Sequence, residues 1–225
     1  MDKVMITGGT GFCGYWITKT APPEFAVFPL SRLDYQGQLY TDWKYIIHLA
    51  PIAPTRILDI AKKCGARVLY ASSGIVYHSE NDTQYRQDKI AWEKECLASG
   101  VDVVIARLFT FFGSRLDKFK AFTTFTLAAR NNQPLVISGD GNTIRTYMHG
   151  RDMGRIIWAI LLHGERGESY DVGSDDPITM LELAEKIIKR EASKSEIIIE
   201  NGKDAMPYYI PENTEKTKLL LDKMK

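Results

Sequence analysis

Residues 7 to 14 read Thr7-Gly8-Gly9-Thr10-Gly11-Phe12-Cys13-Gly14 and directly follow a short apolar run, Val4-Met5-Ile6. Glycines at 8, 11 and 14, set between a strand signal and a helix signal, form the pattern that cradles a dinucleotide pyrophosphate. Gly8 permits a tight turn, Gly11 lets the main chain approach the phosphates, and Gly14 lets the first helix pack on the strand. The helix N-terminus adds free N–H groups and the positive end of its dipole. A plain glycine turn is the alternative reading. The position just after an N-terminal strand favours the cofactor site.

Outward from this loop, strand and helix signals alternate, the pattern of a parallel sheet covered by helices. Strands are predicted at Lys3–Thr7, Phe25–Leu30, Tyr45–Leu49, Arg67–Ser72, Val101–Leu108 and Ser169–Val172. A helix is predicted over Thr55–Cys64, with Pro54 at its first position and Gly65 just past its end. Asp82 or Thr83 caps a helix to Ala98, and Asp152 caps one through Leu162. Thr179-Met180-Leu181-Glu182 fits a capping box for a helix to Arg190. The fold class is therefore α/β, a doubly wound, mostly parallel Rossmann sheet with a small discontinuous C-terminal lobe for substrate. The sheet unit is expected over residues 1–110 plus about 143–175, and the lobe over about 111–142 plus 176–225. Between Ser31 and Tyr45 there is no room for both a further strand and a helix, so the sheet is predicted to be trimmed there, with Leu33–Tyr35 at most a stub.

The chain has 225 residues, of which 44% are hydrophobic, enough for one proper core. Its net charge of +1, from 29 basic and 28 acidic side chains, gives no field that would gather nucleic acid or a membrane surface. The longest apolar run, Ile156 to Leu162, is far too short to span a bilayer. The N-terminus enters the first strand at once, which leaves no room for a signal peptide. Cys13, Cys64 and Cys96 lack metal-ligand spacing and read as packed thiols of a reducing, cytoplasmic setting.

Two more segments carry chemistry. Leu69-Tyr70-Ala71-Ser72-Ser73-Gly74-Ile75-Val76-Tyr77 ends a predicted strand, where open α/β sheets place ligand and catalytic groups. Tyr85 and Lys89, spaced i, i+4 on the following helix, put a phenol and an ammonium on one face. The spacing alone is weak evidence, because Tyr15/Lys19 and Tyr40/Lys44 share it. Only Tyr85/Lys89 follows a strand ending in Ser-Ser, so context selects that pair.

Together these segments resemble the short-chain dehydrogenase/reductase superfamily, in its extended branch of nucleotide-sugar epimerases, dehydratases and reductases. Thr7–Gly14 is similar to the branch's TGxxGxxG loop, Ile47-His48-Leu49-Ala50 to its HLAA strand end, Ser72–Tyr77 to SSxxVY and Tyr85/Lys89 to YxxxK. Arg107–Gly113 resembles RxFNxYG, Gly139–His149 resembles GDGxxxRDFxH, and Tyr170–Gly173 resembles YNVG. The resemblance implies an oxidoreductase with Ser73, Tyr85 and Lys89 as its catalytic set. It implies a cofactor site of Gly8, Thr10, Gly11, Phe12, Cys13, Gly14, Ser31, Arg32, Leu49, Ala50, Pro51, Ser72 and Phe109. It places Thr110 and Arg145 on a nucleotide-diphosphate sugar, and it suggests a homodimer through the helices at Thr55–Cys64 and Thr83–Ala98. Tyr85 would move the proton on a sugar hydroxyl or ketone, which requires its pKa to fall by about three units, or about 4 kcal/mol. The Lys89 ammonium favours that phenolate. Ser73 would bond the same oxygen; its alternative is a strand-end turn residue. His149 reads as a packed histidine rather than a catalyst. Tyr208–Pro211 and the helix around Lys216–Leu221 loosely resemble the segment that closes over the nucleotide.

Departures from the pattern narrow the function. Gly74 and Ile75 stand where sugar 4,6-dehydratases of the branch carry an Asp-Glu pair, so dehydration is not expected, and reduction of a keto sugar or epimerisation remains. Arg32 ends the second strand, where an acidic residue would bond a ribose 2′-OH, and so favours NADP over NAD. The rival reading has Asp34 as that acidic residue, or Arg32 merely solvated. An NADPH-dependent 4-keto sugar reductase is the preferred expectation, an epimerase with retained NAD the alternative, and a non-catalytic dinucleotide-binding regulator the more distant one. Thr110 replaces the usual Asn of RxFN, and the loops around Ser73 and Ala50 are short for the branch.

Overall fold

The computed structural model describes residues 1–31, 42–80, 82–114, 120–200 and 208–224. β1 (Asp2–Thr7) leads into α1 (Phe12–Lys19), followed by β2 (Phe25–Leu30), β3 (Tyr45–His48), α2 (Thr55–Cys64) and β4 (Arg67–Ser73). A 3₁₀ turn (Gly74–Tyr77) precedes α3 (Gln84–Ala98), β5 (Val103–Leu108), β6 (Phe111–Phe112), α4 (Ala121–Arg130) and β7 (Leu135–Ser138). Then come β8 (Ile144–Thr146), β9 (Met148–His149), α5 (Gly150–His163), β10 (Ser169–Val172), β11 (Pro177–Thr179) and α6 (Met180–Arg190). β12 (Ile197–Glu200), β13 (Tyr208–Tyr209) and α7 (Glu215–Asp222) close the chain.

The central sheet runs β10-β5-β4-β3-β1-β2, and all its neighbours are parallel. It is a Rossmann-like α/β sheet. Its strands are apolar on both faces: Val4 and Ile6 point into one core with α1, α5 and α7, while Met5 points into a second with α2 and α3. Leu69 and its neighbours Val68 and Tyr70 repeat that division on β4. A further core joins α4, β7 and α6 through Phe125, Leu135, Ile137, Leu183 and Ile187. Among the described residues β2 is the edge strand on the side where trimming is expected. The stub at Leu33–Tyr35, Asp34 and Tyr40 lie outside the described residues.

Local signals set most boundaries. Gly65 adopts a left-handed φ of 66° at the end of α2, and the Thr179/Glu182 capping box opens α6. Thr83, not Asp82, caps α3, its hydroxyl accepting from Arg86 N–H at 3.3 Å. Pro54 sits at the N-cap of α2 rather than at its first helical position. Asp152 does not cap α5, which starts earlier. His149 is the cap, its Nδ1 accepting from Arg151 N–H at 3.1 Å, and Asp152 falls in the first turn. The fourth and fifth core strands also differ at one end, since β4 reaches Ser73 and β5 begins only at Val103. Cys13, Cys64 and Cys96 are free thiols. Among the described residues no helix is long and apolar enough to cross a membrane, and no cluster of side chains has the make-up to hold a metal ion.

Candidate active site

The chain leaves β2 on one side of β1 and returns as β3 on the other, so the carboxyl ends of β1 and β3 flank a topological switch point. Open α/β sheets bind ligands at such points. A cavity of about 790 Å³ lies there, lined by Gly8, Thr10, Gly11, Phe12, Cys13, Ser31, Leu49, Ala50 and Pro51 of the expected set. Thr7, Ile52, Arg56 and Leu108 complete its wall. Gly14, Ser72 and Phe109 are not on that lining, and Arg32 lies outside the described residues. Gly8 turns the chain with φ 69°, its Cα face against the Ala50 backbone. A Cβ at Gly14 would come within 2.4 Å of the Gly9 main chain, so α1 docks as closely as it does only with glycine there. A bare glycine turn at a helix N-terminus, facing an apolar cleft of this size, fits a dinucleotide.

His48 holds the two loops together. Thr7 Oγ1 lies 2.7 Å from His48 Nδ1, and His48 Nε2 lies 3.1 Å from the Ile52 carbonyl. That carbonyl only accepts, so Nε2 carries the ring proton and Nδ1 accepts from the Thr7 hydroxyl. Burial pushes the imidazole pKa down to about 4, which keeps it neutral. Burial likewise pushes the Cys13 thiol up to about 12, so it is not a thiolate at the cavity wall.

Ser73 ends β4 and starts the 3₁₀ turn, accepting from Ile75 N–H at 3.3 Å. Its hydroxyl also meets the Tyr209 hydroxyl at 3.0 Å, so the turn role and a place in the site coexist. Lys89 is buried on α3, where Nζ donates to Ala71 O at 2.8 Å and to Tyr70 Oη at 3.2 Å. The rings of Tyr70, Trp92 and Tyr85 stand 5.0, 5.5 and 5.8 Å from that ammonium. Burial pushes the Lys89 pKa down to about 8, opposed by the charge of Glu93. Tyr85, one turn before Lys89, is 50% exposed. The structure thus brings Tyr85 and Lys89 to one helix face beside the end of β4.

Behind them runs a polar chain. Arg107 on β5 donates to both carboxylate oxygens of Glu93 at 3.0 and 2.7 Å, and to Tyr77 Oη at 2.7 Å. Tyr77 donates to Asp171 at 2.9 Å, and Asp171 accepts from Glu212 and Asn213 N–H at 2.8 and 3.0 Å. Burial pushes the Tyr77 phenol up to about 12, and the bond to Glu93 raises the Arg107 pKa. The chain ties α3 to the C-terminal segment that carries Tyr209.

Thr110 and Arg145 share a different cavity, of about 430 Å³, with Lys120, Thr143 and Tyr147 on its wall. Arg145 donates to its neighbour's carbonyl, Ile144 O, at 2.8 Å. His149 packs against Trp16 and Phe112 with ring centroids 4.8 and 5.2 Å away. Sequence reasoning did not single out Arg56, Lys120 or Tyr209 for the site. Tyr209 lay inside the loosely matching Tyr208–Pro211 segment, with nothing local to show its partner.

A sequence model of the NAD dependent epimerase/dehydratase family matches residues 26–173. UDP-glucuronic acid decarboxylase 1 of Danio rerio is 26% identical over 284 aligned positions, covering 97% of this chain and 68% of its own length. dTDP-glucose 4,6-dehydratase of Streptomyces niveus is 34% identical over 100 positions, covering 44% of this chain and only 29% of its own length. The structure of dTDP-glucose 4,6-dehydratase from Bacillus anthracis in complex with NAD superposes with a TM-score of 0.84 at 21% identity, covering 99% of this chain and 91% of that one. The long alignment against a shorter chain means that the zebrafish relative carries residues absent here, in keeping with the short loops. The family match spans residues 26–173, about two thirds of the chain, and the chain belongs to the NAD dependent epimerase/dehydratase family.

Proposed function

We propose that this chain performs NAD(P)-dependent oxidoreduction at a ring carbon of a nucleotide-diphosphate sugar, in the form of an NADPH-dependent 4-keto sugar reductase. The observation that carries the reading is that Lys89 bonds the Ala71 carbonyl of β4 with the Tyr85 ring 5.8 Å from its ammonium, while Ser73 at the end of the same strand pairs opposite Leu108 of the dinucleotide cleft wall, with the Arg145 cavity opening two residues further on at Thr110. When bound, the dinucleotide supplies the hydride. The half-exposed Tyr85 phenol gives its proton to the sugar oxygen, and the Lys89 ammonium stabilises the phenolate left behind. Ser73 holds the same oxygen. Arg145 and Lys120 supply cationic donors for the diphosphate. Arg56 and Ser31 on the cleft wall, with Arg32 following, favour a 2′-phosphate.

Dehydration lacks its carboxylates. A Cβ at Gly74 would lie 2.4 Å from the Phe109 ring, so a side chain at that position requires the ring to move. Epimerisation with retained NAD is the second reading; the Bacillus anthracis neighbour, itself a dehydratase, supports it in the cofactor alone, being in complex with NAD. Purified protein mixed with NADPH and a panel of 4-keto nucleotide sugars separates the two. Loss of reduced nicotinamide absorbance marks the reductase, and inversion without net cofactor use marks the epimerase. Neither change at saturating ligand sinks the enzyme reading. Mass spectrometry of co-purifying nucleotide decides NAD against NADP.

The Lys89 pKa gives the rate a pH limit. The ammonium is the working form, so turnover is expected to fall as pH rises through about 8. A rate that holds level to well above pH 9 counts against Lys89. Stability moves the other way. The folded value lies below the ordinary 10.5, so the unfolded chain binds more protons between the two, and this group's contribution to stability rises with pH across that window.

A further inference from the structure

Lys89 carries an ammonium in a nearly closed space, 4% exposed, and an ammonium has three hydrogens to place. Ala71 O takes one at 2.8 Å, and Tyr70 Oη takes another at 3.2 Å. On its own helix α3, Glu93 attracts the charge but has both carboxylate oxygens on Arg107 of β5. Asp88 accepts from the Gln84 amide at 2.7 Å. Cys96 stays a thiol, because burial pushes its pKa up to about 12, and Tyr85 faces the ammonium with its ring. From the sheet, His48 of β3 is neutral, as is Tyr70 of β4, whose phenol burial holds well above its usual range. Two neutral oxygens therefore hold the charge directly, and only one of them belongs to a side chain.

The sheet fixes that side chain. Tyr70 is fully buried in the middle of β4, opposite His48 of β3 and Ile105 of β5. Its ring stacks on His48 at a centroid distance of 6.0 Å, and His48 is itself bonded to Thr7 and the Ile52 carbonyl. The ring also stands 5.0 Å from the ammonium. A phenylalanine would serve this apolar core as well. The hydroxyl is the part that meets Lys89.

We infer that Tyr70 is a positioning residue for Lys89, its phenol oxygen holding the ammonium against β4 in the charged form and leaving one N–H for the site. An oxygen that accepts from an ammonium favours the charged state and so opposes burial, which favours the neutral amine. Without that oxygen the Ala71 carbonyl holds the charge alone, and the neutral amine gains. The bearing on turnover rests on the proposed reaction, in which the ammonium is the working form. The hold on Lys89 does not.

Tyr70→Phe keeps the ring and removes only the oxygen. NMR of lysine labelled at the ε-carbon reads the consequence without any ligand, the Lys89 signal being assigned by its loss in Lys89→Met. Its titration midpoint is expected to lie about one pH unit lower in Tyr70→Phe than in wild type, the scale of one hydrogen bond to a charged group. From a wild-type midpoint of about 8, that shift lowers turnover about fivefold at pH 8, and the deficit narrows at pH 6. A merely structural role lowers the rate alike at both pH values and leaves the midpoint in place. An unmoved or raised midpoint, or a deficit equal at pH 6 and pH 8, overturns the inference. A second measurement does not need Tyr70→Phe to fold. In Tyr85→Phe, which takes away the other tyrosine hydroxyl near the ammonium, one tyrosine ζ-carbon signal must still titrate with the Lys89 midpoint, and its absence overturns the inference by itself. If the Lys89 midpoint falls as expected while the wild-type protein neither binds nor turns over a nucleotide sugar, it is the proposed substrate class that fails, and the hold of Tyr70 on Lys89 stands.

Discussion

Tyr85→Phe is expected to lower kcat by about 10²- to 10⁴-fold, the usual worth of a positioned proton donor, while Tm and dinucleotide affinity stay at wild-type values. The separation is clean because Tyr85 is 50% exposed, so deleting its hydroxyl strands no buried partner and opens no cavity. The ring remains to face the Lys89 ammonium, 5.8 Å away. Tyr15 provides the control. It has the same i, i+4 lysine, with Lys19 Nζ 6.0 Å from its ring, but sits on α1, away from the end of β4. Tyr15→Phe should therefore leave kcat unchanged. If both variants keep full rate, Tyr85 is only a surface phenol. If both lose it, the defect is in folding and circular dichroism will show it.

What the residues disclosed in advance follows how local each signal is. Thr55–Cys64 was readable because its stop is a single residue, Gly65, whose φ of 66° suits glycine and few others. α6 was readable because both halves of its capping box lie within one turn. Asp152 misled because a carboxylate near a helix start is favourable whether or not it caps, and the imidazole of His149 accepts the same kind of N–H bond three residues earlier. The glycine turn was legible for the same local reason, and so was the adjacency of Tyr85 and Lys89. Tyr209 was not: its bond to Ser73 spans 136 residues and depends on the pairing of β13 with β8. Arg107 and Tyr77 were visible as motif letters, but the letters carried no partner. Only the folded sheet, with β4 beside β5 and α3 over both, puts Glu93 and Asp171 at their ends.

Arg107→Leu is expected to cost about 3 kcal/mol in urea unfolding, well above an ordinary surface change. Glu93 is 8% exposed, and both its oxygens are taken by the one guanidinium. Removing Arg107 leaves that carboxylate desolvated with no partner of matching geometry, and Tyr77 loses its donor as well. Arg107→Lys should recover only part of the loss, because an ammonium cannot bond both oxygens and Tyr77 at once. The pair need not be stabilising in itself for this to hold. Breaking a buried pair and replacing it are different experiments, and an apolar replacement of both partners is often neutral. Glu93→Leu combined with Arg107→Leu should therefore be more stable than Arg107→Leu alone, which additive losses would forbid. Activity should not return with stability. Tyr77 would still lack its Arg107 donor, which loosens its hold on Asp171 and hence on the segment that sets Tyr209 against Ser73. A double variant that regains both stability and full turnover would mean that the chain from Glu93 to Asp171 supports the fold and not the site.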